Sequence, residues 1–216
     1  MAVLFDATAT VSGSNVTSLT TPSFTIGSDS NRAAILGLNQ STNGGVSFSG
    51  SCGGVSATLI SGTDTTSSRN PRAQQWQVIA PASGTQTASM SWTNVQSGRL
   101  GVVTASGVDQ TTPANNGTSA TSASGTTRSL SITSTSGDLT VDAAGGDGGA
   151  LSAPTQTQRW SGSTGAGSTG PGTGTTTHSW TCPDASSAQA GANFKQTPPI
   201  GGAFSEVTYI SRMRQW

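Results

Sequence analysis

One histidine, His178, stands in 216 residues, and it is the natural first place to look for chemistry. A Ser–His–Asp arrangement needs that imidazole beside an activated serine, with an acid to orient it and an oxyanion hole nearby. Serine is so abundant here that a pairing with His178 carries no information, and no Gly-x-Ser-x-Gly elbow joins a strand to a helix. The plainer reading is a strand-end histidine beside Trp180. One histidine and two cysteines, Cys52 and Cys182, lack the close spacing of a zinc site. Asp138, Asp142 and Asp147 could set oxygens around calcium. However, the run Asp142-Ala-Ala-Gly-Gly-Asp147 lacks the dense acidic alternation of calcium loops, so solvated turns are expected. Gly165-Ala-Gly-Ser-Thr-Gly170 matches the dinucleotide-binding pattern in letters. Pro171 and more glycines follow where a helix must begin, so the match is read as chance. Glycoside hydrolysis needs two facing carboxylic acids, and the chain has a single glutamate, Glu206. The sequence nominates no catalytic residue, no cofactor and no metal.

Five tryptophans, Trp76, Trp92, Trp160, Trp180 and Trp216, could instead make a binding surface, since exposed indoles stack on sugars and anchor interfaces. The first four lie in alternating strands and are expected in the core. Three glycosylation-type triplets, at Asn15, Asn39 and Asn116, are expected by chance in a chain this rich in Ser and Thr.

The elements that must position these residues read as short strands between clusters of Gly, Ser, Asn, Asp and Pro. Candidate strands include 3–11, 33–39, 74–80, 86–93, 100–107, 130–134, 139–144, 156–160, 178–182 and 191–195. Ser129-Leu130-Ser131-Ile132-Thr133 and Leu139-Thr140-Val141-Asp142-Ala143 alternate cleanly, which predicts one face in the core and one in water. The glycine-bearing connections 134–138 and 80–85 read as hairpin turns. Residues 111–128 and 161–177 are low in complexity and read as long surface loops. No convincing helical stripe with caps appears. Antiparallel strands joined by short turns imply a sandwich, jelly roll or related barrel.

Charged residues make up only 8% of the chain and the net charge is zero, while 31% is apolar before its 29 glycines are counted. The shortage is of charge, not of core, so Ser and Thr hold the surface. A neutral hydroxyl surface favours neutral partners and argues against nucleic acid and anionic membrane, which need clustered Lys and Arg. The first residues, Met1-Ala-Val-Leu-Phe-Asp6, show no signal-peptide pattern, so synthesis in the cytoplasm is expected. The two cysteines are too few for a disulfide framework. They read as separate buried thiols, with one bridge between distant strands left open.

Several segments carry a resemblance: Gly27-Ser-Asp-Ser-Asn-Arg32, Trp76-Gln-Val-Ile-Ala-Pro-Ala-Ser-Gly84, Gly107-Val-Asp-Gln-Thr-Thr-Pro113, Ser136-Gly-Asp-Leu-Thr-Val-Asp142, Gln158-Arg-Trp160 and Ala190-Gly-Ala-Asn-Phe-Lys195. In this order the chain, over residues 3–196, resembles an uncharacterised β-sandwich domain of phage virion proteins and bacterial surface proteins. The resemblance implies no catalytic residues.

The fold expected is therefore all-β, an antiparallel, jelly-roll-like β-sandwich over residues 1–196 with long Gly/Ser/Thr loops. A C-terminal tail, 197–216, follows Pro198-Pro199. The tail reads either as a last strand or as an arm that docks on a neighbour through Phe204, Tyr209, Ile210, Met213 and Trp216. The function expected is a non-enzymatic structural virion protein on the particle's exterior, a phage capsid decoration or tail-associated protein. Its partners would be other virion proteins and copies of itself. The alternative is a carbohydrate-binding or adhesin-type module with glycans as partners.

Overall fold

The computed structural model describes residues 1–41, 47–65 and 71–198, and among these it contains strands and no helix. The N-terminal half supplies β1 (Leu4–Thr20), β2 (Phe24–Ile26), β3 (Ala33–Gln40), β4 (Phe48–Cys52), β5 (Val55–Ser56), β6 (Thr58–Leu59), β7 (Arg72–Ile79), β8 (Gly84–Gln86) and β9 (Ala88–Ser106). The second half supplies β10 (Ala114–Ser122), β11 (Thr127–Thr133), β12 (Leu139–Gly146), β13 (Thr157–Ser161), β14 (Gly165–Pro171), β15 (Thr175–Thr181) and β16 (Ser187–Phe194). All pairings between these strands are antiparallel. The expected all-β, sandwich-like fold is what the chain adopts.

Three layers result. The first is a seven-stranded sheet in the order β5-β4-β9-β3-β7-β6, with β1 on the opposite edge of β9, curled into a nearly closed barrel. The second is a five-stranded sheet, β10-β16-β12-β14-β13, and the third a ribbon of β11 and β15. Alternation along β3 explains how the first two layers share a wall. Ala34, Leu36 and Leu38 point into the barrel with Val78, Leu100, Val102, Met90 and Trp92, while Ala33 and Ile35 pack outward with Val141, Ala143 and Phe194. Burying such side chains yields about 1.5–3 kcal/mol each, which is where most of the stability must come from.

The middle sheet is covered on both faces, and this decides its composition. Leu139, Val141 and Ala143 of β12 face the barrel, and every residue of β12 and β16 is buried. Trp160 on β13 reaches over Gly167 of β14 and onto the paired glycines Gly37 and Gly101 of the barrel wall. A Cβ on Gly101 or Gly167 would overlap the indole, and one on Gly37 would stand 2.9 Å from its Cζ2. The three glycines exist to make a slot for one tryptophan.

Several expectations fail here. Residues 165–171 are not a surface loop but β14, an interior strand whose small residues let its neighbours approach. Likewise 114–122 form β10, paired with β16, where a loop was expected. Neither connection makes a hairpin: β11 pairs with β15 while β12 pairs with β14 and β16, and β3 lies between β7 and β9. The local turn chemistry is right, since Gly84 and Gly137 do take positive φ, but the strands they join belong to different neighbours. Residues 88–106 run as the single strand β9, where two strands were expected. Finally, the polar face of β12 is not in water. The ribbon covers it.

The chain stays tied to the barrel as far as Thr197, whose N–H and Oγ1 both donate to the Gly107 carbonyl at 2.8 and 3.0 Å. Phe204, Tyr209, Ile210, Met213 and Trp216 lie outside the described residues.

Candidate functional site

A convergence of reactive side chains lies under the ribbon. Because strand residues alternate, Thr140 and Asp142 of β12, Ser168 of β14 and Gln189 of β16 all face the third layer, and His178 and Trp180 of β15 face back at them. Asp142 is the hub. Its Oδ1 accepts the Ser168 N–H at 2.7 Å and the Ser168 hydroxyl at 2.6 Å, and its Oδ2 accepts Trp180 Nε1–H and Gln189 Nε2–H, each at 2.7 Å. His178 Nδ1 lies 2.8 Å from Ser168 Oγ and 3.4 Å from Asp142 Oδ1, and its Nε2 lies 2.9 Å from Thr140 Oγ1.

Hydrogen counting assigns the hydroxyl protons. A carboxylate has none to give, so the Ser168 hydroxyl proton goes to Asp142 and its lone pair faces His178 Nδ1. The Thr140 hydroxyl donates to the Gly170 carbonyl at 3.0 Å, so its lone pair faces Nε2. Both ring nitrogens thus face hydroxyl oxygens, with the Asp142 carboxylate 3.4 Å from Nδ1. Burial alone would push the Asp142 carboxyl up. The adjacent His178 charge and hydrogen bonds, with those from Ser168 and Trp180, outweigh it and hold the group below the usual carboxylate range.

These are the residue types of a nucleophile, base and orienting acid, but the arrangement cannot activate the serine. An activating histidine takes the hydroxyl proton on one nitrogen and gives the other N–H to the acid. Here Ser168 and Asp142 meet the same nitrogen, and the hydroxyl proton already belongs to the acid. His178 is fully buried and Ser168 and Asp142 are each 1% exposed, so no substrate reaches them. The cluster pins the ribbon to the middle sheet. It corrects the reading of His178 as a strand-end residue, since it sits mid-strand in β15.

The three acids considered for calcium go separate ways. Asp138 caps its own turn, accepting from Thr135 N–H and Oγ1, Asn193 Nδ2 and Gln196 N–H at 2.8 to 3.0 Å. Burial opposes its ionisation, but those hydrogen bonds more than offset it and lower its pKa. Asp142 is engaged as above. Asp147 lies at the end of β12, where burial raises its pKa. Asp138 and Asp142 are therefore buried and bonded, not the solvated turn residues expected. No group of three or more metal-ligating side chains occurs among the described residues.

Trp76, Trp92, Trp160 and Trp180 are all core, from fully buried to 8% exposed, as expected. Cys52 and Cys182 are separate buried thiols, in the barrel core and under the ribbon respectively, and burial pushes the Cys52 thiol up to about 11. Asn39 of the second glycosylation-type triplet is buried and cannot serve as an acceptor.

Compared with family models, with curated proteins and with solved structures, the chain matches none of them. The site has to be read from its own residues. What it offers outwardly is hydroxyl. On the ribbon's outer face Thr127, Ser129, Ser131 and Thr133 stand opposite Thr181, Ser179, Thr177 and Thr175, with Ser129 Oγ donating to Ser179 Oγ at 2.9 Å. The barrel repeats the device, where Ser49–Ser91 and Ser51–Ser89 bridge β4 and β9 at 2.8 and 3.0 Å. Alternation in the sequence contained the ladder, but the pairing of β11 with β15 was not visible in it.

Proposed function

We propose that this chain is a non-enzymatic structural protein of a virion exterior, a phage capsid decoration or tail-associated protein that acts by surface attachment and self-association. The observation that carries the reading is the ribbon's outer face, where every outward position of β11 and β15 bears a hydroxyl and none bears a charge. A face without charge repels no neighbour, and proteins with net charge near zero associate readily. The unpaired edge of β1, without a strand partner among the described residues beyond β9, supports the same reading, because a free edge is a template for another chain.

Its partners are then other virion proteins and further copies of itself in symmetric array. Nucleic acid and membrane are not among them, since scattered basic residues neutralise few phosphates. In this reading the chain is made in the host cytoplasm and displayed on the particle's exterior. The segment with Phe204, Tyr209, Ile210, Met213 and Trp216 is the proposed docking arm.

Sedimentation velocity, with and without the source particle, tests the reading. The expected result is self-association at micromolar concentration or co-sedimentation with the particle, both weakened by truncation after Thr197. A monomer that ignores the particle overturns it. A carbohydrate-binding or adhesin module is the second reading. The four buried tryptophans cannot supply its stacking surface, but the ribbon's uncharged hydroxyl ladder favours it.

A further inference from the structure

β1 runs for 17 residues, and among the described residues its pairing with β9 occupies one edge and no strand the other. Side-chain bonds reveal which backbone groups the open edge presents. Thr8 Oγ1 and Thr10 Oγ1 donate to the carbonyls of Val102 and Leu100 at 2.8 and 3.1 Å, so those two carbonyls face β1. Their register partners, Ala9 and Val11, are then the residues that exchange backbone hydrogen bonds with β9. Thr8, Thr10 and Ser12 turn their N–H and C=O groups the other way. The far side of β9 agrees: there the Ser97 carbonyl accepts the Ser41 N–H, which leaves the odd-numbered carbonyls to β3 and the even-numbered ones to β1.

The presented stretch is regular, uncharged and unguarded. Residues 8–13 keep one unbroken register with β9, and shifts between Phe5 and Thr8 and between Gly13 and Val16 mark its limits. From Ala7 to Thr20 the strand has no charged residue and no proline. Exposed edges are usually guarded by one or the other, because a row of free N–H and C=O groups invites a second chain. The Ala9 and Val11 side chains pack against the barrel core, so those of Thr8, Thr10 and Ser12 lie on the outer face.

We infer that two copies of this chain join β1 to β1 in antiparallel register, across a two-fold axis at Thr10, so that one barrel sheet continues into the next. The inference rests on the self-association reading above and names its first contact. A two-fold axis sets the strand against its own reversal, so Thr10 opposes Thr10 of the partner subunit and Thr8 opposes Ser12 of the partner subunit. All of these face outward, and each opposed pair exchanges two backbone hydrogen bonds. On the inner face Ala9 opposes the partner's Val11. The outer face becomes a run of hydroxyl pairs like those between β11 and β15. An axis at Ala9 or Val11 would instead align groups already bonded to β9. A charge on the axis would meet its own copy, and none is there. A foreign strand finds no acid or base along this stretch to select it, whereas a second copy brings the matching alternation by symmetry. The docking arm then links such pairs, so truncation after Thr197 leaves the dimer and removes larger assemblies.

Thr10→Cys in the full-length chain tests the register. Opposed residues of this kind stand about 5.5 Å apart at Cα, within disulfide reach, so mild oxidation should give a covalent dimer on a non-reducing gel. Ser12→Cys should not, since the two copies of that position lie roughly 14 Å apart. Cys52 and Cys182 stay out of the reaction because both are buried. Thr10→Pro removes an outward N–H and no backbone bond to β9, so the fold should persist while the dimer, followed by sedimentation equilibrium, weakens at least about tenfold. Thr10→Lys, which sets like charges on the axis, should weaken it as well. No covalent dimer from Thr10→Cys, equal cross-linking of Ser12→Cys, full-strength association in Thr10→Lys, or a dimer lost on truncation after Thr197 would each overturn the proposal. Absence of the covalent dimer with particle binding intact sinks the β1 pairing alone; covalent dimers that ignore the particle sink the virion reading alone.

Discussion

Replacing Asp142 by alanine removes the acceptor shared by four donors: the Ser168 N–H and hydroxyl, Trp180 Nε1–H and Gln189 Nε2–H. It also removes the carboxylate that lies 3.4 Å from Nδ1 of the fully buried His178. Each orphaned buried donor costs about 1–3 kcal/mol taken singly. The donors relax together, so the whole loss is best set by buried pairs broken from one side, about 3–5 kcal/mol. For a chain of this length that is a fall in Tm of about 6–20 °C. Urea unfolding followed by tryptophan fluorescence measures it, with Trp180 itself reporting on the site. Removing His178 as well completes a double-mutant cycle. Because the two residues share one network, the coupling is expected to exceed about 1 kcal/mol. A variant within about 1 kcal/mol of the parent, or additive single changes, refutes the account of this cluster as a hydrogen-bonded structural pin.

Three other outcomes follow from the same geometry. Gly101→Ala drives a methyl group into the Trp160 ring and should cost about 1–3 kcal/mol in urea unfolding, less when Trp160 is shortened in the same chain. Asp142 and Asp138 have folded-state pKa values below the ordinary carboxylate value of about 3.9, so their stabilisation is full above that pH and drains away as pH falls below it. A urea midpoint that stays flat from pH 6 down to about 2.5 would contradict this. At pH 8 neither thiol should react with a disulfide reagent in the native state and both should react in urea, since both are buried and Cys52 titrates only near 11. Rapid native labelling would show that a core opens readily.

The sequence carried the strands, the buried tryptophans and the separate thiols, because these follow from local alternation and apolar content. It could not carry partners distant in the chain. Thr140 and Asp142 alternate with apolar residues as a solvent face would, and nothing nearby announces that β15, some forty residues on, covers them. The segment 165–171 lost its identity as β14 for a related reason. Its glycines answer to Trp160 and to the Asn39 amide from other strands, while locally they look like a linker. The His178 cluster was half legible: the histidine was examined, but Ser168 lay in a stretch read as loop.

The glycine seat for Trp160 also sets an order of events during synthesis. Every residue of the barrel's inner core precedes β10, so that core can close as soon as β9 has left the ribosome. Trp160 emerges more than fifty residues later, roughly 3–11 s at about 5–20 residues per second. Through that interval the Gly37–Gly101 strip stands open on a finished barrel. The nascent chain carries a keyhole before it has made its key.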